Sequence, residues 1–490
     1  MTSYTGLVDS LRRCFKSGRT LPLEFRLDQI RRIKRLFDEN RNEICDAIYK
    51  DIHRSKEECI IFELQVVMNE IDTALSNLSS WMKPKRVAKN MINLLDDAYI
   101  VKDPLGVVLI ISPWNYPINL SFVPLIGALA AGNTVVMKPS EIAGHTAALT
   151  SKLVKQYFDP DVVAVVEGGA AETTELLKER FDHIFYTGSP RVGQVVMEAA
   201  AKHLTPVTLE LGGKCPAIVD ANVDTRIVAR RIAWGKFMSC GQTCLAPDHV
   251  LCPPELVSEL VKELGKAVAE FYTDQPQHAD DYPRIVSRRH FDRLLPFLKN
   301  SGTLVMGGKT DENDLYIEPT VLTDVKPSDP IMQEEIFGPI LPIVAVRNVD
   351  EAIEQVAAGE KPLAVYVFSR ENDVIQRVLR HTSSGGATVN DVILHIGLDT
   401  LPFGGVGQSG MGRYHGEYSF NTFSHEKSVL ERKLGGEEIL WMRYPPYTKE
   451  KFWWTKLVLR KRSIPRLLFV RYVPFFLLGI LLGYFLHYFR

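Results

Sequence analysis

Between Leu23 and Asp51, Leu27, Ile30, Ile33 and Phe37 recur at helical spacing among charged residues, and this pattern predicts one long helix. From Gly106 the texture changes. Val107–Ile111 is a continuous apolar run, followed by Thr134–Met137, Val162–Val166 and Ile184–Tyr186, each bordered by glycine or proline and separated by helical patterns. Short strands with no polar alternation belong to a parallel sheet covered on both faces, so the expected fold class is α/β, doubly wound. Strand and helix alternate again from Leu209 to Asn390, which predicts a second α/β domain.

The last stretch has a different pattern. Leu430–Glu450 is polar, contains Pro445 and Pro446, and reads as a linker. Lys456, Arg460, Lys461, Arg462, Arg466 and Arg471 follow without an acid among them, and then Tyr472–Phe489 is apolar but for His487. About 17–25 apolar residues span a bilayer, so residues 472–489 are expected to form a transmembrane anchor. Its basic flank would face the cytosol and anionic lipid. A core helix or a helix lying on the membrane surface is the alternative, but the apolar character runs all round. Gly479 and Gly483 have the spacing that lets two such helices pack together.

Composition narrows this picture. A chain of 490 residues is too long for one core, so two or three domains are expected. A net charge of −1 gives no field that would gather nucleic acid. Seven cysteines, an odd and sparse set, are not a disulfide framework and point to a reducing compartment. The first residues hold no apolar stretch before a cleavage site, nor the glycine needed for myristoylation, so neither a secretory signal nor that lipid is expected.

Chemistry concentrates in a few segments. Residues 237–252, FMSCGQTCLAPDHVLC, carry Cys240, Cys244 and Cys252 at spacings that match no zinc pattern, so a metal is not expected. A reactive thiol at Cys244 is the sharper reading: Gly241 permits a tight turn, and backbone N–H groups could stabilise a thiolate. Structural burial is the commoner fate of a cysteine. In LELGGKCPAIVD, residues 209–220, Glu210 precedes two glycines; a partly apolar setting would raise its pKa and suit a general base, while a solvated turn is the plainer alternative. In ISPWNYPINL, residues 111–120, Asn115 sits between Trp114 and Tyr116 in a proline-stiffened loop, where an amide could donate to an oxyanion or merely make a turn. Lys138 and Glu141 in VVMKPSE end a strand, where ribose hydroxyls could be held. Gly188, Ser189 and Gly193 in FYTGSPRVG lead from a strand into a helix whose N-terminus could meet a diphosphate.

Together these segments resemble the aldehyde dehydrogenase superfamily from about Arg26 to Lys427. PWNYP, KPSE, TGS, ELGGK, GQTC, EEIFGP and PFGGVGQSGMG stand in the family's order. WGKFMSCGQTC, NDVILH and GRYHG look like its class 3 branch, and the apolar tail is similar to that of membrane-bound fatty aldehyde dehydrogenases. The resemblance implies a Rossmann-like NAD-binding domain (1–85 and 106–208), a catalytic domain (209–395) and a small β oligomerisation element (86–105 and 396–427). A linker with its basic flank (428–471) and the anchor (472–489) complete the organisation.

By the same resemblance, Cys244 attacks an aldehyde and forms a thiohemiacetal. Asn115 and the Cys244 N–H hold the oxyanion, and Glu210 activates water against the thioester left by hydride transfer. Lys138 and Glu141 would bind the adenosine ribose, and Gly188, Ser189 and Gly193 the diphosphate. Glu335 and Phe337 would position the nicotinamide ribose and ring, and Trp114 is expected among the cofactor-binding residues. Glu141 favours NAD, with NADP possible. The implied substrates are medium- and long-chain fatty aldehydes, the state a homodimer, and the membrane that of the endoplasmic reticulum or the peroxisome. A catalytically silent scaffold would have lost Cys244 or Glu210, and an intact Glu210 argues for water over coenzyme A. Ser239 stands where this branch would have asparagine, a change expected to affect packing only. Cys240, Cys252 and His395 are expected to be structural.

Overall fold

The apolar runs form the spine of the molecule. A computed structural model describes residues 3–90, 93, 96–435 and 437–459. Val107–Ile111 is a strand over its whole expected length, with every residue buried. Thr134–Lys138, Val163–Val165 and His183–Thr187 are strands whose ends lie within one residue of expectation. They belong to a six-stranded sheet in the order Gly410–Met411, Val207–Glu210, His183–Thr187, Val107–Ile111, Thr134–Lys138, Val163–Val165. The ladders are parallel except at Gly410–Met411, which runs antiparallel to Val207–Glu210. A sheet buried on both faces needs apolar residues at every position, which is why these strands show no alternation.

Helices cover this sheet. Asn119–Ala131 is buried along its entire length and packs against Leu23–Ile52, Gln65–Trp81 and Gly416–Thr422. Leu23–Ile52 is the long helix expected from its spacing; it buries Ile30, Ile33 and Phe37 and departs from helical geometry at Asn40. There the Asn40 amide donates to Leu36 O at 2.8 Å, and a side chain competing for the helical ladder is a recognised cause of a kink.

The second sheet has seven strands, in the order Thr303–Met306, Thr320–Thr323, Ile340–Ala345, His249–Cys252, Pro216–Val219, Ala364–Phe368, Gly386–Val389. It is parallel except at Thr303–Met306. Val207–Glu210 of the first sheet and Pro216–Val219 of the second are joined by residues 211–215, so the ELGGK segment links the two sheets.

Of the described residues, those of 3–83 and 102–425 form one compact unit, and those within 84–101 and 426–459 form another. The second unit is built on a three-stranded sheet of Lys85–Arg86, Asp97–Pro104 and Ser424–Glu431. There Arg432 clamps Asp96 through two contacts, of 3.0 and 2.7 Å. Within the stretch expected to be linker, Ser424–Glu431 continues as strand and Lys449–Leu459 is helical. The expected anchor, residues 472–489 with Gly479 and Gly483, lies outside the described residues. Among the described residues no helix is long and apolar enough to cross a membrane.

Candidate active site

A cavity of about 1160 Å³ in the larger unit gathers most of the residues singled out by sequence. Trp114, Asn115, Glu210 and Cys244 line it, as do Gly188, Ser189, Glu335 and Phe337. Lys138, Glu141 and Gly193 stand outside its wall.

Three consecutive left-handed residues shape the approach to Cys244: Ser239, Cys240 and Gly241, with φ of 52°, 55° and 68°. Such φ values are costly for residues with side chains and persist only where the surroundings enforce them. At Gly241 a β-carbon would lie 2.3 Å from Gly338 O, so glycine is required there for space as well as for φ. Among the seven cysteines Cys244 alone is not buried. It lies deep in the molecule yet remains open to the cavity. Burial, and then the carboxyls of Glu335 and Glu210, push its thiol up to about 12. The N–H groups of Cys244 and Leu245 pull the other way, as the sequence led us to expect, but they are outweighed. The thiol is therefore protonated in the resting site at neutral pH.

The backbone around the nucleophile is pinned from beneath. The Cys215 thiol donates to Cys244 O at 3.4 Å, and the Tyr366 hydroxyl donates to Leu245 O at 2.6 Å. Neither residue carried a signal in the sequence, since a cysteine and a tyrosine in apolar runs read as core.

Asn115 is buried, and its side-chain amide donates to Gln242 O at 3.0 Å, which orients the group and leaves its second N–H available. Glu210 ends its strand at 3% exposure with no hydrogen-bond partner on either oxygen among the described residues. Burial raises its pKa well above the ordinary carboxyl value. A β-carbon at Gly404, in PFGGVG, would come within 3.1 Å of Glu210 Oε1, so this glycine lets the loop close over the carboxyl. The Glu335 carboxyl lies against Gly212, where a β-carbon would be 2.0 Å away. Burial pushes Glu335 up to about 8, opposed by the Gly213 N–H. Phe337, itself left-handed at φ 49°, meets the Trp114 ring edge-on at 5.5 Å, and His290 meets that ring at 5.1 Å.

Gly188 and Ser189 bring a helix N-terminus to the wall of the same cavity. Ser189 caps the helix Pro190–Ala201, accepting the Val192 N–H at 3.5 Å. A β-carbon at Gly188 would meet the Tyr186 hydroxyl at 2.3 Å, so only glycine keeps this strand end open before the helix N-terminus. One turn into the helix, Gly193 lets Leu211 pack closely. At the end of Thr134–Lys138, separated from His183–Thr187 by the strand Val107–Ile111, buried Lys138 donates to half-exposed Glu141 at 3.0 Å.

His395 does not line the cavity; its Nδ1 lies 2.8 Å from Thr388 Oγ1. Ser239 does more than pack. Its hydroxyl accepts a hydrogen bond from Arg54 at 2.6 Å.

A parallel-sheet nucleotide fold opening into a cavity with one accessible thiol defines a dinucleotide-dependent oxidoreductase that works through cysteine. The chain belongs to the aldehyde dehydrogenase family: the model of the "Aldehyde dehydrogenase family" matches residues 4–429. It is 51% identical over 452 residues to aldehyde dehydrogenase family 3 member A2 of Mus musculus, covering 92% of this chain and 93% of that one. It is also 51% identical over 446 residues to the dimeric NADP-preferring aldehyde dehydrogenase of Mus musculus, covering 91% and 98%. Among solved structures it is similar to the substrate-bound state of Staphylococcus aureus AldH, with a TM-score of 0.91 and 40% identity over 94% of this chain and 100% of that one. The family expected from the motifs is thus borne out, and the enzyme is an NAD(P)-dependent aldehyde dehydrogenase.

Proposed function

We propose that the enzyme oxidises medium- and long-chain fatty aldehydes to acids through a covalent intermediate on Cys244. The observation that carries this reading is the cavity, which has Cys244 in its wall and Phe62, Val66, Leu120, Ile393 and Ile396 as apolar lining. Such a lining takes up an alkyl chain at about 0.8 kcal/mol per buried methylene.

In this mechanism the Cys244 thiol gives its proton to solvent through the cavity, and the thiolate sulfur attacks the aldehyde carbon. The free N–H of the Asn115 amide and the backbone N–H of Cys244 hold the oxygen as it gains charge. A bound NAD or NADP would supply the hydride acceptor that collapse of the Cys244 thiohemiacetal to a thioester requires. Glu210, buried and unpaired, takes the proton of the water that releases the acid. Lys138 and Glu141 would hold the adenosine ribose, Gly188, Ser189 and Gly193 the diphosphate, and Glu335 and Phe337 the nicotinamide ribose and ring, with Trp114 packed against Phe337. Half-exposed Glu141 disfavours a 2′-phosphate, so NAD is preferred.

The two sheets support a cofactor domain of residues 1–85 and 106–208 and a catalytic domain of 209–395, with 86–105 and 396–427 pairing two copies as a homodimer. Residues 472–489, with the basic flank before them, anchor the enzyme to the endoplasmic reticulum or peroxisome, its catalytic part facing the cytosol.

The test is NADH formation from hexadecanal by the full chain and by Cys244→Ala. Activity that vanishes in the variant supports the reading. Flat traces from both, with NAD binding intact, would overturn it, and turnover confined to short, water-soluble aldehydes would sink the chain-length preference.

A further inference from the structure

The helix Leu23–Ile52 ends on His53, left-handed at φ 53°, and the turn sends the next residue inward. That residue, Arg54, is fully buried, with no part of its side chain in solvent. Its Nη2 donates to two loops at once: to Asn115 O at 2.7 Å and to Ser239 Oγ at 2.6 Å. Its Nη1 donates to Glu63 Oε1 at 2.7 Å, and Glu58 lies 4.0 Å from its Nε. Glu63 sits in the π-helical turn Ile60–Leu64, a local widening of the kind often found at functional sites. Its Oε2 accepts the N–H groups of Asn119 at 2.7 Å and Ile118 at 3.2 Å. The guanidinium also lies 4.3 Å from the ring of Tyr116, whose hydroxyl is 2.8 Å from Thr243 Oγ1.

Apart from the contacts of Arg54 with Glu63 and Glu58, these bonds end on one of two segments: residues 115–119, which carry the Asn115 amide, or residues 239–243, which lead into Cys244. An oxyanion site needs its two donors at a fixed separation before the reaction starts, and a small misplacement is costly. Here the donors belong to chain segments far apart in sequence; Asn115 and Tyr116 bridge the two loops directly, and Arg54 grips both from a third segment. Stability alone is a poor reason for such a pair, because a buried ion pair is often matched by apolar residues of similar volume.

We propose that Arg54, held by Glu63, is a positioning residue that sets the separation of the two oxyanion donors, with Ser239 as its foothold on the nucleophile loop. This rests on the assignment of Asn115 and the Cys244 N–H as those donors.

The test is a double-mutant cycle on the full chain at saturating NAD and aldehyde, with thermal unfolding measured beside it. Asn115→Ala should lower kcat about 100-fold. Arg54→Met/Glu63→Met, which removes both charges together, should lower kcat at least about tenfold while KM for NAD stays within about twofold. In the Asn115→Ala background the same pair should cost less than about twofold, because it would act through a donor already gone. Ser239→Ala, which leaves the ion pair in place, should lower kcat about threefold in the parent enzyme and not at all beside Asn115→Ala. If Asn115→Ala is slow but the losses multiply in full, Arg54 is structural and the proposal is overturned. If Asn115→Ala leaves kcat unchanged, the donor assignment itself falls. Should the paired variant not fold, Ser239→Ala decides: an unchanged kcat overturns the proposal.

Discussion

Glu63 and Glu210 are buried to nearly the same degree, at 0% and 3% exposure, in one compact unit of one chain. Glu63 receives a guanidinium and two backbone N–H groups, and these hold its pKa to about 7 against the upward push of burial. Glu210 receives no hydrogen bond from the described residues, and burial alone carries it well above the ordinary range. The difference teaches what burial by itself does not decide. A carboxyl whose oxygens are all engaged can only hold its neighbours in place, whereas one left unpaired beside a cavity has its proton free for exchange.

The largest expected effect comes from removing the chemistry of the unpaired partner. Glu210→Gln keeps the shape and removes the base, so steady-state turnover should fall about 10²–10⁴-fold. Because no partner is lost and a carboxyl with a raised pKa costs stability at neutral pH, the variant should unfold no more easily than the parent. A thioester that accumulates in acid-quenched samples would locate the block after hydride transfer. Turnover close to that of the parent would erase the contrast between the two carboxyls.

The second effect is on stability and belongs to the paired site. Glu63→Leu strands Arg54 and two backbone donors, and breaking a buried pair on one side costs about 3–5 kcal/mol. Denaturant unfolding should register this, and a loss below about 1 kcal/mol would show that water or Glu58 has replaced the partner.

A milder version is Glu63→Gln, which keeps an oxygen for the backbone donors and gives up the charged bond to Arg54, a loss of about 1.5–3 kcal/mol. It carries a pH signature as well. The folded value, about 7, lies above the ordinary 4.5, so the folded state keeps a proton that the unfolded chain releases between the two. The contribution of Glu63 to stability is therefore full below pH 4.5 and is lost as pH rises towards 7. Glu63→Gln should flatten that slope relative to the parent; parallel curves would show that Glu63 does not titrate there.

The two carboxyls also differ in how far they could be seen in advance. Glu210 stands in ELGGK and Cys244 in GQTC, local patterns whose glycines are required by short-range geometry, as the Gly241 contact with Gly338 O makes plain. The strand Val107–Ile111 was legible for a similar reason, because a strand covered on both faces must be apolar throughout. Arg54 and Glu63 gave no such signal. They stand in HRSKEECIIFEL, which carries no such local pattern, and the loop partners of Arg54 lie 61 and 185 residues away. Ser239 was assigned to packing because its role depends on that same distant guanidinium. Short strands such as Gly410–Met411 are likewise fixed by pairing with Val207–Glu210 and not by their own sequence.

The smallest effect tests the unpaired site through pH. Attack requires the Cys244 thiolate, and thioester hydrolysis requires the Glu210 carboxylate. Burial raises both groups, the thiol to about 12, so the thiol is mostly protonated at neutral pH and the Glu210 carboxyl holds its proton to higher pH than a solvated one. A group held above the assay pH gains its basic form about tenfold per pH unit, so kcat/KM for the aldehyde, which reports the free enzyme, should climb between about pH 7 and 9. Glu63 should leave this limb untouched, since all its oxygens are occupied and it lies behind the Asn115 loop. Glu63→Gln should therefore lower the profile without moving it, whereas Glu210→Gln should keep the rising thiol limb in the burst of NADH that precedes the blocked hydrolysis. A flat profile in the parent enzyme would mean that the resting thiol and carboxyl are already ionised, and the contrast between a paired and an unpaired buried acid would then rest on geometry alone.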